Sequence, residues 1–318
     1  MWAGAFGYAT RDKDIAADTN TIYRIGSITK TFTAAILMQL VEERKVKLDD
    51  PVEKYLPEIK SLKGYSDKTI ITLRQLASHT SGLKREPDMP GASLGPVGQW
   101  ESKLLSCIPY TSFKSSPGTR YQYSNIGYAL LGLTLERAAG VPYIQMVQQW
   151  IFTPLHMDNT FFSMPENKMA ELAEGIVNSK KNLKDKINKS HSLQGVLDST
   201  LGGYTIPCGG IYSTSPDLAK FTIALMGRTP LLEPESLREM QVTPPGGMYY
   251  GLGLMLARYK KLDFIGHGGL VPGYIAQFSI EKNNVYAAIL MRNYNRGKTN
   301  LALDSRKLLH KLSRGSIR

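Results

Sequence analysis

The longest apolar stretch of the chain follows Lys30. Phe32, Ala34, Ala35, Ile36, Leu37, Met38, Leu40 and Val41 are relieved only by Thr31, Thr33 and Gln39, so a helix here is apolar on nearly every face. Such a helix is buried rather than amphipathic. It is shorter than the roughly 20 apolar residues a membrane span needs, and it ends in Glu42-Glu43-Arg44-Lys45. Further along, "SNIGYALLGLTLERAAG" (124–140) predicts a second helix stopped by Gly140, and "VPYIQMVQQWIF" (141–152) a third with proline near its start. "PCGGIYSTSPDLAKFTIALM" (207–226) reads as a turn, a short extended piece and a helix opened by Ser-Pro-Asp. After Met248 the texture changes to strands: "YYGLGLMLARY", "LDFIGHG", "GYIAQFSIEK" and "VYAAILMRN", the last two joined at Asn283-Asn284.

At the other end, "WAGAFGYA" (2–9) reads as a strand and "TIYRIG" (21–26) as an extended lead-in to a helix opened by Ser27. "LDDPVEKYLPE" (48–58) is a proline-broken connection, and a short helix starts at Leu73 and stops by Gly82. From about 84 to 200 the pattern is helical with long irregular connections, which form the rim of a pocket at about 84–115 and 160–200. Consecutive strands joined by short turns predict an antiparallel α+β sheet. The expected organisation is a discontinuous sheet domain, 1–83 with 201–318, and a mainly helical insert, 84–200.

The net charge of +12 over 318 residues first suggests a polyanion partner. Much of that charge lies in "KKNLKDKINK" (180–189) and the tail "SRKLLHKLSRGSIR" (305–318), where no aromatics interleave. Base stacking has no support, so nucleic acid is not expected as a partner. The tail fits a closing amphipathic helix on Leu301, Leu303, Leu308, Leu309 and Leu312. Cys107 and Cys208 are too few for a disulfide framework and are read as small buried residues. The five histidines form no pair spaced to place two ligands on one helix face, so no metal and no cofactor are expected. With no secretory signature at the start, a cytoplasmic location is favoured over export and trimming.

The chemistry begins with a misplaced charge. A helix N-terminus carries about half a positive charge and disfavours lysine, yet Lys30 lies in the first turn of a core helix, three residues after Ser27. Ser-x-x-Lys occurs three times: at Ser27, Ser81 and Ser279. Residues three apart share a helix face but oppose one another on a strand. Ser279 falls in a strand and Ser81 in a loop, so only Ser27 and Lys30 are placed to meet. A buried lysine can take a serine proton because desolvation favours its neutral form, and Lys30 is expected to be substantially neutral at working pH. A capping serine beside a snorkelling lysine fits the same stretch.

Two further constellations follow. "SPGTRYQYSNIGYALLG" (116–132) holds the chain's one Tyr-x-Asn, Tyr123 and Asn125. A phenol can relay a proton, and an amide can hold a substrate carbonyl or a neighbouring lysine; alone, they are equally a core ring and an N-cap. "GHGGLVPGY" (266–274) sets His267 before glycines that admit a ligand to the backbone.

Together, in this order, the three resemble the serine β-lactamase and penicillin-binding-protein superfamily, in its class C-like branch of β-lactamases, DD-peptidases, D-aminopeptidases and esterases. "LASHTSGL", "PGTRYQYSN", "GGIYSTSPDLAKF" and "YYGLGL" extend the resemblance over roughly residues 2–312. It implies a β-lactamase-like sheet flanked by helices, with the site between sheet and insert. It implies Ser27 as the acylated nucleophile, Lys30 as its base, and Tyr123 as the group that protonates the leaving group. Asn125 would orient the substrate, His267-Gly268-Gly269 would face it from a strand edge, and the N–H groups of Ser27 and Leu270 would form the oxyanion hole.

Only 26 residues precede Ser27, fewer than the family usually has, so a leading helix and an edge strand are expected to be lacking. Histidine in place of the third motif's lysine removes a fixed charge at neutral pH. The expected substrates are therefore small esters or amides, with D-amino-acid peptides or β-lactams as the alternative and a non-catalytic ligand-binding or scaffolding role as the second.

Overall fold

A computed structural model describes residues 2–178, 187–189, 202–283, 285–294 and 299–315. The apolar stretch after Lys30 forms helix α1, Thr29–Glu42, buried from Thr29 through Met38 and again at Leu40. Its hydroxyls and one amide nitrogen find partners outside the helix: Thr31 Oγ1 donates to Gly253 O at 2.7 Å, Thr33 Oγ1 to Pro207 O at 2.6 Å and Gln39 Nε2 to Trp150 O at 3.3 Å, while Gln39 Oε1 is buried with no partner among the described residues. An all-round apolar helix with every hydroxyl partnered belongs in the middle of a fold. Phe32 stacks on Phe221 with ring centroids 3.7 Å apart and meets Phe152 edge-on at 5.8 Å. Truncating such a ring costs about 3–5 kcal/mol.

Around α1 lie α2 (Leu73–Ala77), α3 (Trp100–Cys107), α4 (Asn125–Ala139) and α5 (Tyr143–Val147), the last prolonged by a π-turn over Gln148–Phe152. A capping box between Thr72 and Gln75 starts α2. Gly140, at φ 67°, ends α4 in the left-handed conformation that glycine adopts without strain. Later come α6 (Ile206–Gly209), α7 (Ser215–Leu225, capped by Thr214), α8 (Pro234–Glu239) and α9 (Leu301–Ser313).

The strands depart from expectation. β1 (Tyr8–Thr10) pairs only with β2 (Ile15–Ala16), and β3 (Tyr23–Arg24) with a distant strand, Tyr212–Ser213. The four-stranded antiparallel sheet comes entirely from the C-terminal part: Met255–Tyr259, Leu262–Val271, Tyr274–Glu281 and Ala287–Arg292, in sequential order. In chain order, with two short strands at Ile176–Asn178 (β4) and Ile187–Lys189 (β5), these make Tyr212–Ser213 β6 and the sheet β7 to β10. Among the described residues, no strand from the N-terminal part joins this sheet. Trp2 and Phe6 are exposed and stand among Gly4 and Gly7, a composition poor for strand pairing.

The strand read over 249–259 begins only at Met255, because Gly253, at φ 69°, turns the chain against α1, where a methyl group would lie 2.5 Å from Ala34 Cβ. One hydrophobic core joins α1, the helices of 84–200 and the sheet, through residues such as Ile36, Leu130 and Ile265. The closing helix α9 buries Leu309 and Ser305 against the sheet, whereas Leu308, expected on its apolar face, is exposed. Both cysteines are buried and free. Most of 180–189, much of the 160–200 rim, Asn284 and residues 316–318 lie outside the described residues. Among the described residues no helix is long and apolar enough to cross a membrane, and no cluster of metal-ligating side chains occurs.

Candidate active site

Ser27 is not a helix cap. It sits in a 3-10 turn, Gly26–Ile28, that feeds directly into α1, so the chain reaches Lys30 one turn later on the same face. Lys30 is fully buried, and its Nζ has three oxygens in reach: Ser27 Oγ at 3.1 Å, Asn125 Oδ1 at 2.8 Å and Cys208 O at 2.8 Å. An ammonium has three protons and no acceptor, so the cradle matches the charged form donor for donor. The neutral amine would give two protons to the carbonyl oxygens and accept from the serine. The cluster can therefore hold the proton on either atom without leaving a buried polar group unpaired.

Asn125 is available for this because its neighbour does the capping. Ser124 Oγ accepts from Gly127 N at 2.9 Å and donates to Lys84 O at 2.7 Å, while Asn125 N donates to Arg85 O at 2.9 Å. The other end of the Asn125 amide donates to Glu86 Oε1 at 2.6 Å, and Tyr204, buried at 1% exposure, donates its hydroxyl to Glu86 Oε2. Sequence reading missed Glu86, Tyr204 and the Cys208 carbonyl. The first two stand in segments without periodicity, and a carbonyl carries no side-chain signal.

Tyr123 lies against the cluster by its face. Lys30 Nζ is 4.9 Å from its ring centroid and the Arg85 guanidinium 4.8 Å. Such contacts attract a cation to the ring quadrupole. Among the described residues the Tyr123 hydroxyl has no hydrogen-bond partner. Behind it the His79 ring lies tilted at 36° with its centroid 4.1 Å away, its Nδ1 accepting from Ser124 N at 3.1 Å. That bond puts the imidazole proton on Nε2, which is buried without a partner among the rings of Tyr121, Tyr123, Tyr128 and Tyr250. Burial, with the nearby Lys30 charge second, holds His79 well below the ordinary imidazole range.

His267 is placed differently from expectation. It is fully enclosed, its Nδ1 donating to Gly268 O at 2.7 Å and its Nε2 accepting from Tyr250 Oη at 2.9 Å. Burial first, and the Lys30 charge second, push its pKa down to about 3. The ring is neutral and braces Tyr250 from below; it presents no charge at a strand edge. The reason is β8's alternation: His267 and Gly269 share the face turned to the Ser27 turn, and that face is packed.

Gly269 makes the close packing possible. A methyl group there would lie 1.8 Å from Ile25 O and 3.1 Å from Ser27 N. Opposite it, Gly26 at φ 51° would bring a methyl group to 3.1 Å from Leu270 N. Two glycines thus let the turn that carries Ser27 pack directly against the strand that carries Leu270, with the backbone nitrogens of both beside the contact. Gly268, on the alternate face, lies against the Gln277 side chain, where a methyl group would come within 2.8 Å of Oε1.

The Beta-lactamase family model matches residues 1–311. Beta-lactamase-like protein 4 of Dictyostelium discoideum is 31% identical over 285 residues, covering 82% of this chain and 48% of its own. The chain thus spans about half the length of that curated relative. The octameric penicillin-binding protein homologue from Pyrococcus abyssi superposes with a TM-score of 0.78 at 25% identity, covering 99% of this chain and 71% of the other. A D-stereospecific amidohydrolase from Streptomyces sp. superposes at 0.70 with 30% identity, over 86% and 82%. The α+β arrangement is accordingly the β-lactamase-like fold, and with its three constellations in their expected order the chain belongs to the Beta-lactamase family.

Proposed function

We propose that this chain is a serine hydrolase that works through an acyl-serine ester, acting on small carboxylic esters or amides at a site between the helices of 84–200 and the rest of the fold. One observation carries the reading: Lys30 Nζ, fully buried, is held between Ser27 Oγ, Asn125 Oδ1 and Cys208 O. In the first step Ser27 Oγ gives its proton to Lys30 Nζ and forms a bond to the substrate carbonyl carbon. The new ammonium keeps all three of its protons donated, so charge appears where acceptors already stand. The carbonyl oxygen, now negative, is received by Ser27 N–H and Leu270 N–H, whose nitrogens lie beside the Gly26–Gly269 contact. Collapse breaks the bond to the leaving group, which takes the proton held on Lys30 through the Tyr123 hydroxyl, and water then cleaves the ester by the reverse sequence.

D-amino-acid peptides form the second reading, favoured by the likeness to the Streptomyces D-stereospecific amidohydrolase. Classical β-lactams fit less well, because the enclosed, neutral His267 offers no fixed cation for a substrate carboxylate.

Hydrolysis of p-nitrophenyl acetate and butyrate by wild type and by Ser27→Ala tests the proposal, with nitrocefin run in parallel. Turnover confined to wild type is expected, with nitrocefin slower than either ester. Equal rates in the two proteins would remove Ser27 as the nucleophile.

A further inference from the structure

We propose that the chain holds a second ligand site, remote from Ser27, that takes a small zwitterion of the amino-acid type. Its ammonium end meets Glu281, and its carboxylate end lies among Lys260, Lys261 and Arg314.

The site is a cavity of about 580 Å³ at the end of the sheet away from the Ser27 turn, within the ~300–1,000 Å³ of small-molecule sites. It is framed by the β7–β8 turn at Lys260-Lys261, by the segment between β9 and β10, and by the last turn of α9. β8 runs from Leu262 in the cavity wall to Leu270 beside the Ser27 turn, about 26 Å at the rise of a strand. The two sites therefore lie at opposite ends of one strand.

Glu281 supplies the interior charge. It is the last residue of β9 and shares a face with Ser279, whose hydroxyl meets Ser305 of α9 at 2.9 Å. Its side chain thus points toward α9, where His310 and Arg314 line the same cavity. At 3% exposure it is a carboxylate taken out of water, yet among the described residues no hydrogen bond or ion pair reaches it. The C-terminal end of α9 alongside carries about half a negative charge and gives it no relief. Such a group is costly until a cation meets it.

The mouth has the opposite sign. Lys260, Lys261 and Arg314 are exposed there, and among the described residues none of them forms an ion pair, with Glu281 or with another carboxylate. Desolvation, and next the charges of Lys260 and Arg314, hold His310 below the ordinary imidazole range, so it adds no fourth cation. Opposite charges thus share one cavity without meeting. A ligand positive at one end and negative at the other satisfies both sets. An acid alone would leave Glu281 unpaired, and an amine alone would have to pass three like charges to reach it. Leu262 and the Tyr286 ring, also in the wall, suit an apolar side chain.

Calorimetric titration at pH 7 and low salt tests the site, using each enantiomer of leucine against 3-methylbutylamine, which lacks the acid, and 4-methylpentanoate, which lacks the amine. Wild type and Ser27→Ala are expected to bind leucine alike, about tenfold or more tighter than either analogue, as a charged hydrogen bond at each end supplies. Glu281→Gln should lose the preference over 4-methylpentanoate. Lys260→Met with Lys261→Met, which alters exposed residues only, should weaken the preference over 3-methylbutylamine. Without ligand, Glu281→Gln should melt no lower than wild type, because it gives up a buried charge that had no partner. Absence of saturable binding of either enantiomer overturns the proposal, as does leucine affinity unchanged by Glu281→Gln. Binding of 4-methylpentanoate as tight as that of leucine leaves only a basic rim and overturns it too. A Glu281→Gln protein that melts well below wild type makes the carboxylate structural, with the same result.

Discussion

Lys30 is where residue chemistry and burial meet. A lysine with no exposed surface needs every proton of its charged form accepted, and here a hydroxyl, an amide and a main-chain carbonyl accept them. Arginine stays protonated and cannot take the Ser27 proton. Lys30→Arg is therefore expected to unfold cooperatively yet to lose about a hundred- to ten-thousand-fold in kcat/KM for p-nitrophenyl acetate, the range a positioned base contributes. Failure of a serine-directed fluorophosphonate to label the variant would accompany the loss. A Lys30→Arg protein that labels as fast as wild type would exclude Lys30 as the base.

At the level of elements, β8 and the Ser27 turn meet through two glycines, and this contact brings Ser27 N and Leu270 N to the same seam. Gly269→Ala puts a methyl group 1.8 Å from Ile25 O, against backbone that has no flexible end to move. The substitution should lower stability by about 3 kcal/mol, as overpacking does, and reduce kcat more than it raises KM, since the strand must move off the turn. Thermal unfolding and a kcat against KM comparison check both parts; a variant with unchanged Tm and kcat would mean that the close approach is not needed. Such a contact was half legible: glycines after His267 announced a close backbone approach, but not that the visitor would be the chain's own Ile25. Helices read from long apolar runs were found at α1, α4 and α7, whereas 2–7 and 249–254 lost their strands to glycines and to tertiary packing.

The whole molecule adds a pH dependence that no single element has. His267 stays neutral in the fold until about pH 3, pushed down by burial and then by Lys30, and His79 likewise lies well below its ordinary range. In the unfolded chain both bind a proton near pH 6.5, as imidazoles ordinarily do. Between those limits the unfolded state holds more protons, so stability is complete above about pH 6.5 and is lost as pH falls. Glu136 opposes this, because burial raises its pKa to about 7 and its contribution is lost as pH rises from its unfolded value. Comparing wild type with His267→Gln isolates one term. The variant's unfolding free energy between about pH 6 and pH 4 should have a slope shallower by about 1.4 kcal/mol per pH unit. Denaturant titrations across that range decide it, and equal slopes would show that His267 is protonated in the fold.

From the sequence by itself came the buried helix, the meeting of Ser27 with Lys30, and the family's three constellations. These depend on spacing along one element, where the backbone period alone settles which side chains share a face. Tertiary structure decided the rest. Cys208 O, 178 positions from Lys30, is a lysine acceptor because α6 packs beside α1, and His267 is a brace for Tyr250 because its strand face is closed. Glu86 stands beside Asn125 because the amides at the start of α4 needed acceptors, and Arg85 O supplied one. Contacts of this kind join segments far apart in the chain, and no local period encodes them.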